Sequence, residues 1–148
     1  MVGVANDAVS LELNGTRVPV AGSRFNLTLE LNPGKNGFDL QATDAVGNVS
    51  VTRLQTFLDI EPPEILSVDL RRDGGDAAPI QLIVEVSDVS GLVQAAPFLI
   101  AVDGVAYDGF LRCDSASGQC HGTVPPASGD LELIELIIED YAGNAAFY

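Results

Sequence analysis

The sequence is poor in the residue types on which most enzymes and nucleic-acid-binding proteins depend. Its 148 residues include no tryptophan, one histidine and one methionine, and aromatic residues make up 6% of the chain. Lysine and arginine together number 7 against 21 aspartates and glutamates, which gives a net charge of −14. A chain this acidic repels phosphate backbones and anionic head groups, so we expect no nucleic-acid partner and no insertion into a membrane.

Long apolar runs and helical periodicity are also missing. Apolar residues reach 47% of the chain, but polar residues interrupt them every few positions, and no stretch approaches the roughly 20 residues of a membrane-spanning helix. No window repeats its apolar residues with the helical period. Residues 8–13, 24–31, 36–43 and 79–86 instead alternate between apolar and polar side chains. Short alternating runs separated by turn residues predict an all-β chain with the architecture of a β-sandwich.

Little in the sequence suggests catalysis. His121 is the only histidine, and we interpret it as an exposed strand residue beside Cys120 and Gly122. There is no Gly-x-Ser-x-Gly motif and no glycine-rich phosphate loop. Acidic residues are numerous, but nothing marks one pair of them for glycoside hydrolysis. We therefore predict that the chain is not an enzyme and carries no catalytic cofactor.

The two cysteines, Cys113 and Cys120, flank a turn-rich hexapeptide between two strand-like runs. This spacing predicts a disulfide across a β-hairpin, which the chain-entropy account values at about 2.5 kcal/mol. A disulfide indicates an oxidising compartment. Two alternatives are free thiols in a cytosolic protein and a metal site, although two sulfurs and His121 fall short of the four ligands of structural zinc.

One motif, Asp-x-x-Gly-Asn, occurs twice, at 44–48 and at 140–144, and each copy follows an alternating run. A second pair of matching turns is Asn-Gly at 14–15 and Asp-Gly at 103–104. Aligning the two motifs places three inward-facing residues of each run in register: Phe38, Leu40 and Ala42 with Ile134, Leu136 and Ile138. The repeated motifs therefore predict that the chain consists of two copies of one β-module.

Pro62 and Pro63 mark the boundary between the copies, since consecutive prolines form a short and stiff connector. We predict one module over residues 1–60 and a second over residues 61–148. Five residues precede the first copy's Asn6-Asp7 loop, whereas two strand-like runs precede the corresponding loop of the second copy. We therefore expect the first module to lack its opening strand or strands and the second to be short of its closing strand. Open edges of this kind permit an edge-strand dimer.

The two aspartates that begin the repeated motif allow two interpretations. In the structural one each carboxylate caps its own turn, and the Gly-Asn pairs adopt left-handed dihedrals: Gly47, Asn48, Gly143 and Asn144. In the functional one they belong to a calcium site, because calcium prefers six to eight oxygen ligands, many of them carboxylates. The candidate ligands are Asp44, Asp59, Glu61, Asp88 and Asp140. We expect the second module to be the host.

The combined motifs resemble bacterial immunoglobulin-like repeats, in particular the glucodextranase B-type and cadherin-like modules of exported proteins. The segments that carry the resemblance are Asn14-Gly15, 33–36, 42–44, Gly47-Asn48, Pro62-Pro63, 88–91 and 140–144. The resemblance covers nearly the whole chain and implies two tandem immunoglobulin-like β-sandwiches. The hairpin between Cys113 and Cys120 departs from the common pattern of these repeats.

The resemblance implies a non-catalytic structural or adhesive spacer in a larger bacterial protein, secreted or at the cell surface. Its partners would be neighbouring modules of the same polypeptide and a protein or glycan ligand. One alternative is a calcium-dependent adhesion segment. Another is a carbohydrate-binding accessory module of a secreted hydrolase, in which Tyr107 or Tyr141 stacks on sugar rings. We expect Phe110 to lie in the core.

Overall fold

The computed structural model describes all residues from Met1 to Tyr148, and the chain is all-β. It divides into two compact units, Met1–Leu58 and Asp59–Tyr148, which we call unit 1 and unit 2. No helix in the chain has the length and apolar character that crossing a membrane requires.

Unit 1 contains six strands in two sheets. The strands are β1 Val2–Val4, β2 Ala8–Leu13, β3 Thr16–Arg17, β4 Arg24–Asn26, β5 Gly34–Asp44 and β6 Val49–Leu58. The larger sheet has the order β3-β2-β5-β6, and β1 pairs with β4 in a small second sheet. Its core is small, with Leu11, Val18 and Phe25 buried at the centre. Strand β6 pairs on one side only, with β5.

Unit 2 contains seven strands in one continuous antiparallel sheet with the order β13-β12-β9-β10-β11-β8-β7. The strands are β7 Glu64–Arg72, β8 Ile80–Ser87, β9 Ala95–Val102, β10 Val105–Asp114, β11 Gln119–Val124, β12 Leu131–Glu139 and β13 Ala145–Phe147. The sheet folds over so that β7 contacts β12, which is consistent with a β-sandwich. Fifteen buried residues form its core, drawn from β8 through β12 and the Leu92 segment.

Alternation explains which side chains of unit 2 enter this core. In β8 the residues Ile80, Leu82, Val84 and Val86 are all buried, as the period of two in the sequence predicts. Strand β9 places Phe98 and Ile100 on the same core. The predicted strands at 8–13 and 79–86 are thus confirmed to within one residue at each end.

The predicted disulfide between Cys113 and Cys120 is confirmed. The two cysteines are direct cross-strand partners in β10 and β11, and both lie in the core of unit 2. The bridge therefore closes the β10–β11 hairpin from its inner face.

Three sequence predictions about strands and core residues are wrong. The run at 24–31 forms a strand only over Arg24–Asn26. Ile134 was expected to face inward with Leu136, but it is 47% exposed, because a β-bulge between Leu133 and Glu135 shifts the phase of β12. Phe110 was expected in the core and is 67% exposed, because its neighbour Leu111 takes the inward position in β10.

Candidate functional site

The two Asp-x-x-Gly-Asn motifs form the same hydrogen-bonded turn. In each, Oδ1 of the aspartate accepts the backbone N–H of the asparagine at 2.8 Å, and Oδ2 accepts its side-chain amide at 2.8 Å. The backbone N–H of each aspartate also donates to the asparagine carbonyl at 3.0 Å. The turn-capping interpretation of Asp44 and Asp140 therefore describes contacts that both residues make.

The glycines of these turns have the left-handed dihedrals that the sequence predicts. Gly47 has a φ of 89° and Gly143 a φ of 93°, which only glycine adopts without strain. The prediction is wrong for Asn48 and Asn144, since neither has a positive φ. Their role is to donate hydrogen bonds to the aspartate, for which they need no unusual backbone conformation.

The hydrogen bonds alter the acidity of both aspartates. The Asn48 side-chain amide and backbone N–H hold the pKa of Asp44 below its ordinary value. Burial by itself raises the pKa of Asp140, but the hydrogen bonds from Asn144 and the turn backbone outweigh it, and the pKa is lowered. Both carboxylates are thus stabilised in the charged form, which is the form that binds a cation.

Asp140 differs from Asp44 in its surroundings. It is only 1% exposed, and it lies in a cluster with Asp59 and Asp88, in which one carboxylate oxygen of each residue lies within 4.8 Å of the others. We call these three residues the carboxylate cluster. Asp59 precedes β7, Asp88 follows β8 and Asp140 follows β12, so three separate segments of unit 2 supply one side chain each.

The Asp88 side chain is held by its own loop. Its Oδ1 accepts hydrogen bonds from the Ser90 backbone N–H at 2.8 Å, the Ser90 hydroxyl at 2.9 Å and the Gly91 backbone N–H at 2.8 Å. No hydrogen bond reaches its Oδ2. The loop therefore orients the carboxylate and leaves one oxygen available to a ligand.

Asp59 contains the least satisfied oxygen of the cluster. Its Oδ1 accepts the backbone N–H of Glu61 at 3.1 Å, whereas its Oδ2 is buried from solvent and has no hydrogen-bond partner. A buried carboxylate oxygen without a partner is energetically costly, because it has lost its water and gained nothing in return. A cation bound beside the two other carboxylates would give this atom a partner.

No basic side chain neutralises the cluster. The four ion pairs of the structure join Arg53 to Asp39, Arg71 to Asp69 and Asp73, and Arg72 to Asp76. None of them includes a cluster residue. Three carboxylates in close contact repel one another, and a divalent cation would convert that repulsion into attraction.

The donor set indicates which cation fits. All three ligands are carboxylates, and nitrogen and sulfur donors are absent from the cluster. Calcium and magnesium prefer such hard oxygen donors, and calcium accepts the irregular arrangements that loops provide. Three carboxylates supply between three and six oxygens, and backbone carbonyls and water complete a calcium shell of six to eight.

The structure brings together three of the five residues that the sequence nominated as metal ligands. Glu61 is exposed and not part of the cluster, and Asp44 belongs to unit 1. Sequence reasoning missed the part that Ser90 plays in orienting Asp88. The signal for it was the spacing Asp-x-Ser-Gly, which is typical of an aspartate that caps its own turn.

The structure also places the other residues that the sequence singled out. His121 is exposed on β11, as predicted. Tyr107 is half-buried and packs against the core of unit 2, while Tyr141 is 62% exposed. Comparison with known proteins finds no protein-family model and no curated protein that matches this chain.

Proposed function

We propose that the chain is a non-catalytic structural segment of an exported bacterial protein, built from two tandem immunoglobulin-like modules, and that the second module binds calcium. The observation that carries the calcium proposal is the carboxylate cluster, in which the buried Oδ2 of Asp59 has no partner. Adhesion mediated by such a segment would then depend on calcium.

Matching hydrogen bonds in the two units support a tandem repeat. The Oδ1 of Asn14 accepts the backbone N–H of Asp39 at 2.8 Å, and the Oδ1 of Asp103 accepts that of Asp130 at 2.8 Å. In both pairs the turn residue also donates its own N–H to the partner's carbonyl. Asp39 lies within β5 and Asp130 directly precedes β12, and these are the strands that run into the two Asp-x-x-Gly-Asn motifs.

A cation in the carboxylate cluster would link three segments of unit 2 to one another. Asp59 is the first residue of the unit and precedes Pro62-Pro63, and Asp88 and Asp140 lie in loops of the folded sheet. Binding at all three would fix the entering segment to the body of the unit. A segment held in this way resists fraying and transmits force, as a spacer requires.

The disulfide supports an exported location. Disulfides persist in oxidising compartments and are rare in the cytosol. The bridge between Cys113 and Cys120 lies in the core of unit 2, where it adds to the stability of a chain exposed to proteases. This agrees with a secreted or cell-surface protein.

Thermal unfolding with calcium and with a chelator tests the proposal. A ligand that binds only the native state raises the unfolding midpoint, and a concentration 100 times Kd contributes about 2.7 kcal/mol. We expect calcium to raise the midpoint of the wild-type chain and to have no effect on Asp59→Asn. The matched control is Asp44→Asn, which removes the corresponding turn aspartate of unit 1 and should keep the response to calcium.

Limited proteolysis tests the structural role separately from binding. We expect calcium to slow cleavage within residues 59–64 while leaving the loops of unit 1 unaffected. Equal cleavage rates with calcium and with chelator would mean that any bound ion does not hold the entering segment.

A further inference from the structure

A second candidate binding surface lies on the outer face of the β10–β11 hairpin. A shallow groove of about 200 Å³ is lined by Phe110, Arg112, His121, Gly122 and Thr123. It shares no residue with the carboxylate cluster. The inference drawn from it goes beyond the proposed function and does not depend on calcium.

The pleat of the hairpin presents these side chains together. Phe110 and Arg112 alternate with the buried Leu111 and Cys113, so both project from the outer face of β10. His121 is the direct cross-strand partner of Arg112. An aromatic ring, a guanidinium and an imidazole thus stand side by side on one face.

The backbone at Gly122 forms part of the groove. Gly122 has no side chain beneath the groove, and Phe98 and Leu111 pack against its backbone from the core. The disulfide between Cys113 and Cys120 joins the two strands one position beyond Arg112 and His121. A platform fixed in this way loses little conformational entropy when a ligand binds.

Arg112 has no intramolecular partner. Of the three arginines of unit 2, Arg71 and Arg72 are ion-paired and Arg112 is not. The nearby carboxylate of Asp114 is occupied by its own turn, where it accepts hydrogen bonds from the Ala116 N–H and the Ser117 hydroxyl. An exposed arginine that remains unpaired in so acidic a unit is available to an external anion.

The chemistry of the groove selects its ligand. Unit 2 contains sixteen acidic side chains, yet none of them lines this groove. Arginine is a donor without acceptors and matches a carboxylate with two parallel hydrogen bonds. Sites for neutral sugars need acceptors for the sugar hydroxyls, and here only Thr123 and one histidine nitrogen could accept. The exposed face of Phe110 suits the apolar face of a sugar ring.

We propose that this groove binds a carboxylated saccharide, a uronic-acid unit of a polysaccharide. Phe110 stacks on the sugar ring, Arg112 holds the carboxylate, and His121 and Thr123 hydrogen-bond the ring hydroxyls. Asp114, two residues from Arg112 on the same strand, has its carboxylate engaged by its own turn. Physiological salt weakens the repulsion from the other solvent-exposed carboxylates of unit 2.

The test is a titration followed by NMR with two matched trisaccharides, one of β-linked glucuronic acid and one of glucose with the same linkage. All samples contain the same calcium concentration, so the groove is tested independently of the carboxylate cluster. We expect the uronate to bind and to shift the signals of Gly122 and Thr123. The neutral sugar should bind at least tenfold more weakly, since it lacks the charge-assisted hydrogen bonds.

Three variants locate the site. We expect Arg112→Gln to weaken uronate binding about tenfold or more, and Phe110→Ala to weaken it severalfold. The matched control is Phe147→Ala, which removes another exposed aromatic side chain and should leave binding unchanged. All three positions are exposed, so the variants should keep the wild-type spectrum.

Three results would overturn the proposal. The first is no binding of the uronate at millimolar concentration. The second is equal binding of both trisaccharides, which would assign the groove to neutral sugars. The third is uronate binding that Arg112→Gln leaves intact, which would place the site elsewhere on the chain.

Discussion

Asp44 and Asp140 begin the same turn motif in two units, yet they differ in what surrounds them. Each accepts the same two hydrogen bonds from the asparagine four residues later. Asp140 is buried and has Asp59 and Asp88 beside it, whereas Asp44 is half-buried and belongs to no such group of three carboxylates. The comparison teaches that the motif specifies a turn, whereas the grouping of three carboxylates depends on which other segments lie beside that turn.

The units differ in their cores as well. Three buried apolar residues form the centre of unit 1, whereas fifteen form the core of unit 2. Hydrophobic stabilisation grows with the apolar area removed from water, so unit 2 should be the more stable. The carboxylate cluster, which needs three segments held in place, lies in the unit with the larger core.

We expect the largest loss of stability from truncating apolar residues in the strands that lead into the two turns. Leu136 is completely buried, and Leu40, its counterpart in the sequence alignment, is half-buried. We expect Leu136→Ala to destabilise unit 2 by about 2–5 kcal/mol, and Leu40→Ala to cost unit 1 less.

Denaturant unfolding followed by tyrosine fluorescence reports selectively on unit 2, and therefore on Leu136→Ala. All three tyrosines lie in unit 2, and the chain has no tryptophan to mask them. Leu136→Ala should lower the midpoint of this signal and Leu40→Ala should not. Equal shifts from both variants would contradict the difference between the cores.

A smaller effect is expected from the asparagines that cap the aspartates. In the presence of chelator, Asn144→Ala should cost about 1–3 kcal/mol, because it removes a hydrogen bond from a buried carboxylate. Asn48→Ala should cost under about 1 kcal/mol, since water can replace the lost amide at Asp44. Hydrogen exchange of the two turns measures the free energy lost in each variant. Similar losses would mean that the burial of Asp140 does not make its hydrogen bond more valuable than that of Asp44.

The smallest expected effect concerns the free energy of unfolding of unit 1 at acidic pH. The pKa of Asp44 is lowered by folding from an ordinary value of 3.8, so its contribution is fully present above that pH. The contribution is lost as the pH falls through the lower folded pKa. We expect Asp44→Asn to flatten this part of the stability curve of unit 1, as measured by hydrogen exchange against pH.

A variant that keeps the carboxylate serves as the control for this prediction. Asn48→Ala removes the hydrogen bond that lowers the pKa of Asp44 most, so it should give an intermediate slope. A slope unchanged in both variants would show that Asp44 does not contribute to acid sensitivity.

The sequence predicted the regular strands well because alternation reports directly on burial. The prediction failed over residues 24–31, where the apolar–polar alternation continues beyond the end of the partner strand β1. Strand β4 pairs with β1, which is three residues long. Beyond the paired residues, Met1 and Leu27 exchange hydrogen bonds at one end, and the Ala5 N–H donates to the Ser23 carbonyl at the other. Alternation shows which way side chains face, but a strand also needs backbone partners.

The candidate site could be predicted only as a set of residue types. The sequence nominated five acidic residues near turns, and topology brought three of them together across 81 positions of the chain, from Asp59 to Asp140. The groove beside Phe110 was not predicted, because assigning that residue to the core removed it from the outer face. The bulge in β12 could not be predicted either, because one extra residue changes which side chains face inward without changing the composition of the strand.

A calorimetric calcium titration of the wild-type chain, Asp59→Asn and Asp44→Asn tests the central claim most directly. We expect one calcium ion per wild-type chain, one per Asp44→Asn chain and none for Asp59→Asn. No ion bound to the wild-type chain, two ions per chain, or an ion that survives Asp59→Asn would contradict the assignment of calcium to the carboxylate cluster.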